Sequence, residues 1–317
     1  MKVSVLGCGR WGSFIAWYLH RIHHDVMLYG RVGSAHLQQF RETRSNGMVT
    51  FDESVQFTDS LEEAVLHGEI LVISIAAQNL RSLMASLGQL DLAGKTLVLC
   101  MKGLEASTGK RLTQVVEEFT SADVAIWVGP GHVQDFTKGI PNCMVIDSKQ
   151  QSVKERIVNA FGSPLIRFYY GTDLIGNEVG AAAKNVIGIA AGMLDGKGLT
   201  ALKGALMSRG TREIARLIKA MGGNEITAYG LSHLGDYQAT VFSEYSHNRR
   251  FGELFVQGKE YGQLAEGVPT TGALLRLAAE HGVELPICNA VDRMVNKGED
   301  ADTILSDLFL RSIKEEF

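Results

Sequence analysis

The chain has only 5 prolines in 317 residues, and its four cysteines (Cys8, Cys100, Cys143, Cys288) are scattered without a C-x-x-C pair. So little proline argues against a linker-rich or disordered protein. Isolated cysteines, with no histidine at ligand spacing, give neither a disulfide framework nor a zinc site, so no metal is expected and the reducing cytoplasm is the expected compartment. Excess positive charge is also missing. A net charge of −4 and a pI near 6.2 leave no electrostatic case for a nucleic-acid partner. The uninterrupted apolar run in the most apolar helical stretch extends only over 186–194, well short of the ~20 residues a bilayer crossing needs, so no membrane span is expected. There is no internal repeat or low-complexity segment. Met1 and Lys2 lead straight into a strand pattern rather than a long apolar core with a cleavage site, so no secretory signal is expected.

Glycine, by contrast, is abundant at 35 residues, and 45% hydrophobic with 21% charged residues is ordinary for a chain that folds around real cores in water. Lys2–Leu6 reads as a short buried strand, Gly7-Cys8-Gly9-Arg10-Trp11-Gly12 follows at once, and 13–21 has a helical pattern. Strand, G-x-G-x-x-G and helix in succession are the dinucleotide fingerprint in its proper context. Gly7 makes the tight turn, Gly9 lets the backbone approach a pyrophosphate, and Gly12 lets helix and strand pack. The plainer reading is a glycine-rich turn that binds nothing. The second strand, Asp25–Tyr29, ends on Gly30 and Arg31, where an acid would bond the ribose 2′-hydroxyl of NAD. With no carboxylate until Glu42 and Arg31 able to pair with a 2′-phosphate, the cofactor is expected to be NADP or NAD, with NADPH favoured.

Strand patterns at 70–74, 96–101, 124–128, 143–146 and 166–169 alternate with helical ones, predicting an α/β chain with a doubly wound sheet. Ligands of such sheets gather beyond the carboxyl ends of the strands. Met101-Lys102-Gly103-Leu104-Glu105 and Gly129-Pro130-Gly131-His132 stand at two such ends. Lys102 is therefore a candidate, although a lysine there is often merely solvated. Past Tyr170 the patterns are helical only, so the expected division is a Rossmann-type dinucleotide domain at 1–172 and an all-helical substrate domain at 173–317.

Within 174–194, LIGNEVGAAAKNVIGIAAGML, glycines at 176, 180, 188 and 192 share one four-residue series with Lys184. On a helix that series winds as a single stripe, drifting ~40° per step. A stripe without Cβ atoms lets another group come close. No Asp or Glu stands three or four residues from Lys184, so its ammonium must find a partner elsewhere in the fold or in a ligand. The plainer reading is a lysine whose stem covers apolar surface while its head reaches water. Asn248, Arg249 and Arg250 group donors that suit a phosphate, or form an ordinary charged loop. Asp236, in the glycine-flanked loop 230–236, could orient a lysine or cap the next helix.

In their order and spacing, GCGRWG at 7–12, MKGLE at 101–105, GPGH at 129–132, GAAAKNVIGIAAGMLDG at 180–196, SRGTREIARL at 208–217, GLSHLGD at 230–236, HNRRFGEL at 247–254 and ELPI at 284–287 mark a family. Along essentially its whole length the chain resembles the soluble NAD(P)-dependent glycerol-3-phosphate dehydrogenases of bacteria. The resemblance implies interconversion of dihydroxyacetone phosphate and sn-glycerol 3-phosphate for phospholipid synthesis, and it leaves a homodimer open. It implies Lys184 as the catalytic lysine at the carbonyl, with Lys102 beside it and Asp236 in the lysine and substrate network. Gly129, Gly131, Ser246, His247, Asn248 and Arg249 would line the substrate. Gly7, Gly9, Arg10, Trp11, Gly12, Arg31, Lys102, Val133 and Glu266 would border the cofactor. The chemistry agrees, because hydride attack on a ketone builds negative charge on oxygen, which a lysine without a local counter-ion can stabilise or protonate.

Four positions depart from the family. It usually has arginine at His247, serine at Gly131, alanine at Val133 and asparagine at Ala201. The first two departures remove a permanent charge and a hydroxyl from the expected substrate side. A reductase of another small ketone or hydroxy acid is therefore the alternative, and a non-catalytic cofactor sensor a more distant one. Retention of Lys102, Lys184 and Asp236 argues against the sensor.

Overall fold

The computed structural model describes residues 1–309. The chain forms two compact units, Met1–Lys102 with Lys110–Glu178, and Gly103–Gly109 with Val179–Phe317. The first is built on one eight-stranded sheet of β1 (Lys2–Leu6), β2 (Asp25–Tyr29), β3 (Gln56–Thr58), β4 (Ile70–Ile73), β5 (Thr96–Leu99), β6 (Asp123–Val128), β7 (Asn142–Asp147) and β8 (Ile166–Tyr170). Their order is β3-β2-β1-β4-β5-β6-β7-β8, parallel throughout except for the antiparallel pair β6 and β7. The strand order reverses at β1, flanked by β2 and β4, which is where doubly wound sheets open a ligand crevice.

Sequence explains much of this unit. Ile70–Ile73 and Thr96–Leu99 are buried at every position, as expected of central parallel strands covered by helices on both faces. Ser34 and Ser60 accept from the backbone N–H of Leu37 and Glu63 and so start the helices Ala35–Thr43 and Leu61–His67, each cap contributing ~1 kcal/mol. Phe14, Tyr18, Trp127 and Phe161 fill the core, and Trp127 sets its edge against Phe168 with ring centroids 5.0 Å apart. Each such buried side chain contributes roughly 1.5–3 kcal/mol. β3 was not expected. Three residues are too few for alternation to register, and Gln56–Thr58 becomes a strand because the exposed edge of β2 offers it backbone partners.

The second unit is helical, as the pattern predicts. Its glycine stripe seats other segments of the chain. A Cβ on Gly192 would stand 1.8 Å from the carbonyl oxygen of Arg249 in the helix His247–Val256, and one on Gly252 would stand 2.0 Å from that of Ile189. The two helix backbones touch. Glycine inside a helix costs ~1 kcal/mol relative to alanine, and here it is the condition for that contact. Farther along the same stripe, Gly180 admits His233 and Gly188 admits Thr240. Among the described residues no helix is long and apolar enough to cross a membrane.

Candidate active site

In the first unit, the turn between β1 and the helix Arg10–Arg21 has the geometry a dinucleotide needs. Gly7 lies at φ +121°, where a side chain would be strained, and a Cβ on it would meet the Ser74 carbonyl oxygen at 2.1 Å. A Cβ on Gly12 would meet the Gly7 oxygen at 1.9 Å, so helix and turn pack backbone to backbone. Gly9 faces open space, with nothing within 4 Å of where its Cβ would be. It occupies the N-cap of Arg10–Arg21 in extended conformation and has no side chain to fill the helix N-terminus. A pyrophosphate fits there, against backbone N–H groups and the positive end of the helix dipole.

Beyond β2, Arg31 is exposed. The short strand β3 brings in Asp59, an acid that the linear reading did not place here. Burial raises the phenol pKa of Tyr29, and the negative charge of Asp59 adds to the shift. Arg41 grips that carboxylate at both oxygens, 3.0 and 3.1 Å, and holds it below its ordinary range, so its charge is largely balanced.

Lys102, just past the end of β5, donates to the Gly129 carbonyl at 2.6 Å, joining the two strand-end segments. Trp11 lies 5.2 Å from Phe14 and 6.3 Å from Phe136, centroid to centroid. This cluster accounts for one departure from the family. A Cβ on Gly131 would come 2.4 Å from Cε2 of Phe136, so a serine would need that ring to move. Val133 is buried at the start of the helix Val133–Thr137, which His132 precedes as N-cap.

In the second unit, Lys184 is 8% exposed and Asp236 1%. The lysine Nζ lies 3.2 Å from Asp236 Oδ2 and donates to Thr240 Oγ1 at 2.8 Å, and that hydroxyl donates to the Asp236 carbonyl at 2.8 Å. The partner absent from the lysine's own helix thus arrives from the short turn Leu234–Asp236 and the π-helical turn Gln238–Phe242. Such turns often mark functional sites. A buried ammonium held by a carboxylate and a hydroxyl is a preorganised donor for developing oxyanion charge.

The helix His247–Val256 starts beside this pair. Ser246 caps it by accepting from Arg249 N–H. Asn248 donates to Asn185 Oδ1 at 3.0 Å and accepts from Gly267 N–H at 2.9 Å, which ties this helix to the lysine helix and to the start of Gly267–Glu280, where Glu266 is the N-cap. His247 Nδ1 lies 2.5 Å from the Tyr261 hydroxyl. Arg249 turns to Asp195 at 2.7 Å and to the Ser243 carbonyl at 2.9 Å. Burial would raise Asp195, but bonds from Lys203 and Arg249 outweigh it and hold the carboxyl low. Arg250 is exposed and pairs with Glu253. A separate groove, bounded by Leu275, Pro286 and Asn289, has none of the expected site residues in its lining.

The model of the NAD-dependent glycerol-3-phosphate dehydrogenase N-terminus matches residues 2–154, and that of the C-terminus of the same enzymes matches 173–306. The chain belongs to this family. It is 34% identical over 336 residues to a glycerol-3-phosphate dehydrogenase [NAD(P)+] of Pelodictyon phaeoclathratiforme, covering 100% of this chain and 99% of that one. With its namesake from a Thermoanaerobacter species it is 35% identical over 327 residues, again covering 100% and 99%. The crystal structure of the glycerol-3-phosphate dehydrogenase from Coxiella burnetii superposes with a TM-score of 0.90 at 26% identity, over 98% of each chain.

In this member of the glycerol-3-phosphate dehydrogenase family, several residues around Lys184 escape sequence reading. Thr240 stands 56 positions from Lys184, and no local pattern marks it. His233 and Tyr237 lie inside or beside the GLSHLGD motif, but only the fold reveals that both are fully buried and that His233 meets the lysine helix at Gly180. Spacing offered one usable signal: His233 and Tyr237 are four apart, so a helical turn would put them on one face.

Proposed function

We propose that the chain interconverts dihydroxyacetone phosphate and sn-glycerol 3-phosphate with a nicotinamide dinucleotide, and that Lys184 is the group at the carbonyl oxygen. The observation that carries this reading is the buried Lys184–Asp236 pair, closed by Thr240. The bound nicotinamide supplies the hydride. Lys184 binds the substrate carbonyl oxygen, stabilises the charge that grows on it and delivers a proton to the alkoxide. Asp236 pairs with the lysine and aims it, and Thr240 fixes the direction of one of its N–H bonds. Lys102, held to Gly129, serves the strand-end side, where Gly129 and Gly131 border the substrate.

For the cofactor we assign Gly7, Gly9, Arg10, Trp11 and Gly12 to the pyrophosphate turn, Arg31 to a 2′-phosphate, and Val133 and Glu266 to its border. NADPH is favoured over NADH because Arg31 is exposed while Asp59, the acid whose charge acts on Tyr29, is engaged by Arg41. For the substrate phosphate we assign the start of the helix His247–Val256, with Ser246, His247 and Asn248 as contacts and Arg249 bracing that helix through Asp195. The product would feed glycerophospholipid synthesis in the cytoplasm, with no nucleic-acid partner.

The test is nicotinamide absorbance followed with dihydroxyacetone phosphate, ketopantoate and other small carbonyl compounds, each with NADPH and with NADH. Turnover confined to dihydroxyacetone phosphate supports the reading. Preference for a phosphate-free ketone would move the assignment to that substrate, and turnover of none would leave a cofactor-sensing protein.

A further inference from the structure

The segment that brings Asp236 to Lys184 is held by a histidine the chemistry above does not use. His233 is fully buried, with Nδ1 2.8 Å from the Gly180 carbonyl oxygen and Nε2 2.8 Å from the Tyr237 hydroxyl. A carbonyl can only accept, so Nδ1 carries the proton and Nε2 accepts from Tyr237. One tautomer is thereby selected. Burial pushes the imidazole pKa down to about 4, with Gly180 and Asp236 opposing the shift and Lys184 adding to it, so at neutral pH the ring is uncharged.

Both bonds bear on the lysine pair. Gly180 lies one helical turn before Lys184, and its carbonyl is also the helical acceptor for the Lys184 N–H. A Cβ on Gly180 would stand 3.0 Å from His233 Cβ, so the glycine is what lets the imidazole lie against this turn. On the loop side, Asp236 N–H bonds back to the His233 carbonyl at 3.0 Å, and Tyr237 N–H to that of Leu234 at 3.0 Å. The ring therefore fastens the loop to the helix and, through Tyr237, to itself.

We propose that His233 is a positioning residue that locks the helical turn bearing Lys184 to the loop bearing Asp236, which rests on the reading of Lys184 as the group at the carbonyl. Besides this lock, the loop meets the lysine through the ion pair and the Thr240 bond. A misplacement of ~1 Å at a catalytic group costs on the order of 10²-fold in rate.

Two substitutions separate the two bonds. His233→Asn puts an amide nitrogen where Nδ1 was and keeps a donor for Gly180, whereas His233→Gln reaches only as far as the Tyr237 hydroxyl. Expected are kcat within about threefold of wild type for His233→Asn and a fall of ~10-fold or more for His233→Gln, with the KM for NAD(P)H unchanged in both. Equal kcat in the two variants, per folded protein, would overturn the lock, because a merely structural histidine would lower stability in both without separating their rates. Hydrogen exchange without ligand reads the lock independently of the reaction. Amides of 181–186 and 232–240 should exchange faster in His233→Gln than in His233→Asn. That difference in a protein that reduces no ketone would keep the lock and sink the functional reading. Should either variant fail to fold, nitrogen NMR of wild-type histidines decides. His233 should be the Nδ1-protonated tautomer and should not titrate between about pH 5 and 8. The other tautomer, or an ordinary titration, would refute the proposal.

Discussion

Replacing Lys184 by methionine tests the chemistry and the electrostatics of the second unit together. Methionine keeps an unbranched side chain of similar length in the helix but removes the donor. If Lys184 supports the carbonyl oxygen, kcat should fall by ~10² or more, the scale for losing one positioned acid or oxyanion donor. The structure adds a stability cost. With Nζ 3.2 Å from Asp236 Oδ2, the pair attracts by about 5 kcal/mol at an effective dielectric constant near 20. Deleting one member strands a carboxylate that is 1% exposed, and breaking a buried pair in this way typically costs about 3–5 kcal/mol. Lys184→Met should therefore unfold at markedly lower urea. The double variant Lys184→Met with Asp236→Asn removes the stranded charge and should recover most of that stability while staying as inactive as the single variant. Steady-state kinetics with dihydroxyacetone phosphate and urea unfolding of both variants provide the assay. Near wild-type turnover in folded Lys184→Met would refute the catalytic role. Equal stability of the single and double variants would refute the buried charge pair.

Arg31→Ala should weaken NADPH far more than NADH, read from the two KM values; equal losses would make Arg31 a structural residue. If His247 faces the substrate phosphate, His247→Arg should lower the KM for dihydroxyacetone phosphate severalfold, because a guanidinium offers a fixed fork of charged donors; an unchanged KM would move the anchor elsewhere. Gly131→Ser should destabilise the first unit by about 1–3 kcal/mol, because its Cβ would sit 2.4 Å from Phe136, and Phe136→Leu should relieve it; an additive pair of losses would refute the clash. Burial raises Glu213 to about 7, although it accepts from Ile287 and Cys288 N–H. The folded carboxyl then holds its proton at pH values where the unfolded one has lost it. Its contribution is present below about 4.5 and disappears as pH rises through about 7, some 3 kcal/mol in all, so Glu213→Gln should flatten unfolding stability over that interval.

Some of this was legible in the chain because the information is local. Alternating strand and helix patterns, the order of GCGRWG after Lys2–Leu6 and the solitary lysine among glycines follow from neighbours within a turn or a strand. They suffice for the Rossmann-type sheet and the helical second part, and they single out the turn at 7–12 and Lys184 as the candidates on which the proposed function rests. What only tertiary structure decided depends on residues far apart in sequence whose approach no local rule constrains. The edge of β2 made a strand of Gln56–Thr58 and brought Asp59 to the end of Tyr29. The direction of Arg249, inward to Asp195, depended on where a second helix lay. Two partners of Lys184 are side chains 52 and 56 positions on, since a stripe without Cβ atoms specifies that something comes close but not what. That choice belongs to the packing of loop 230–242, where His233, Asp236 and Thr240 reach the lysine helix at once and each contact costs less entropy because the others are already made.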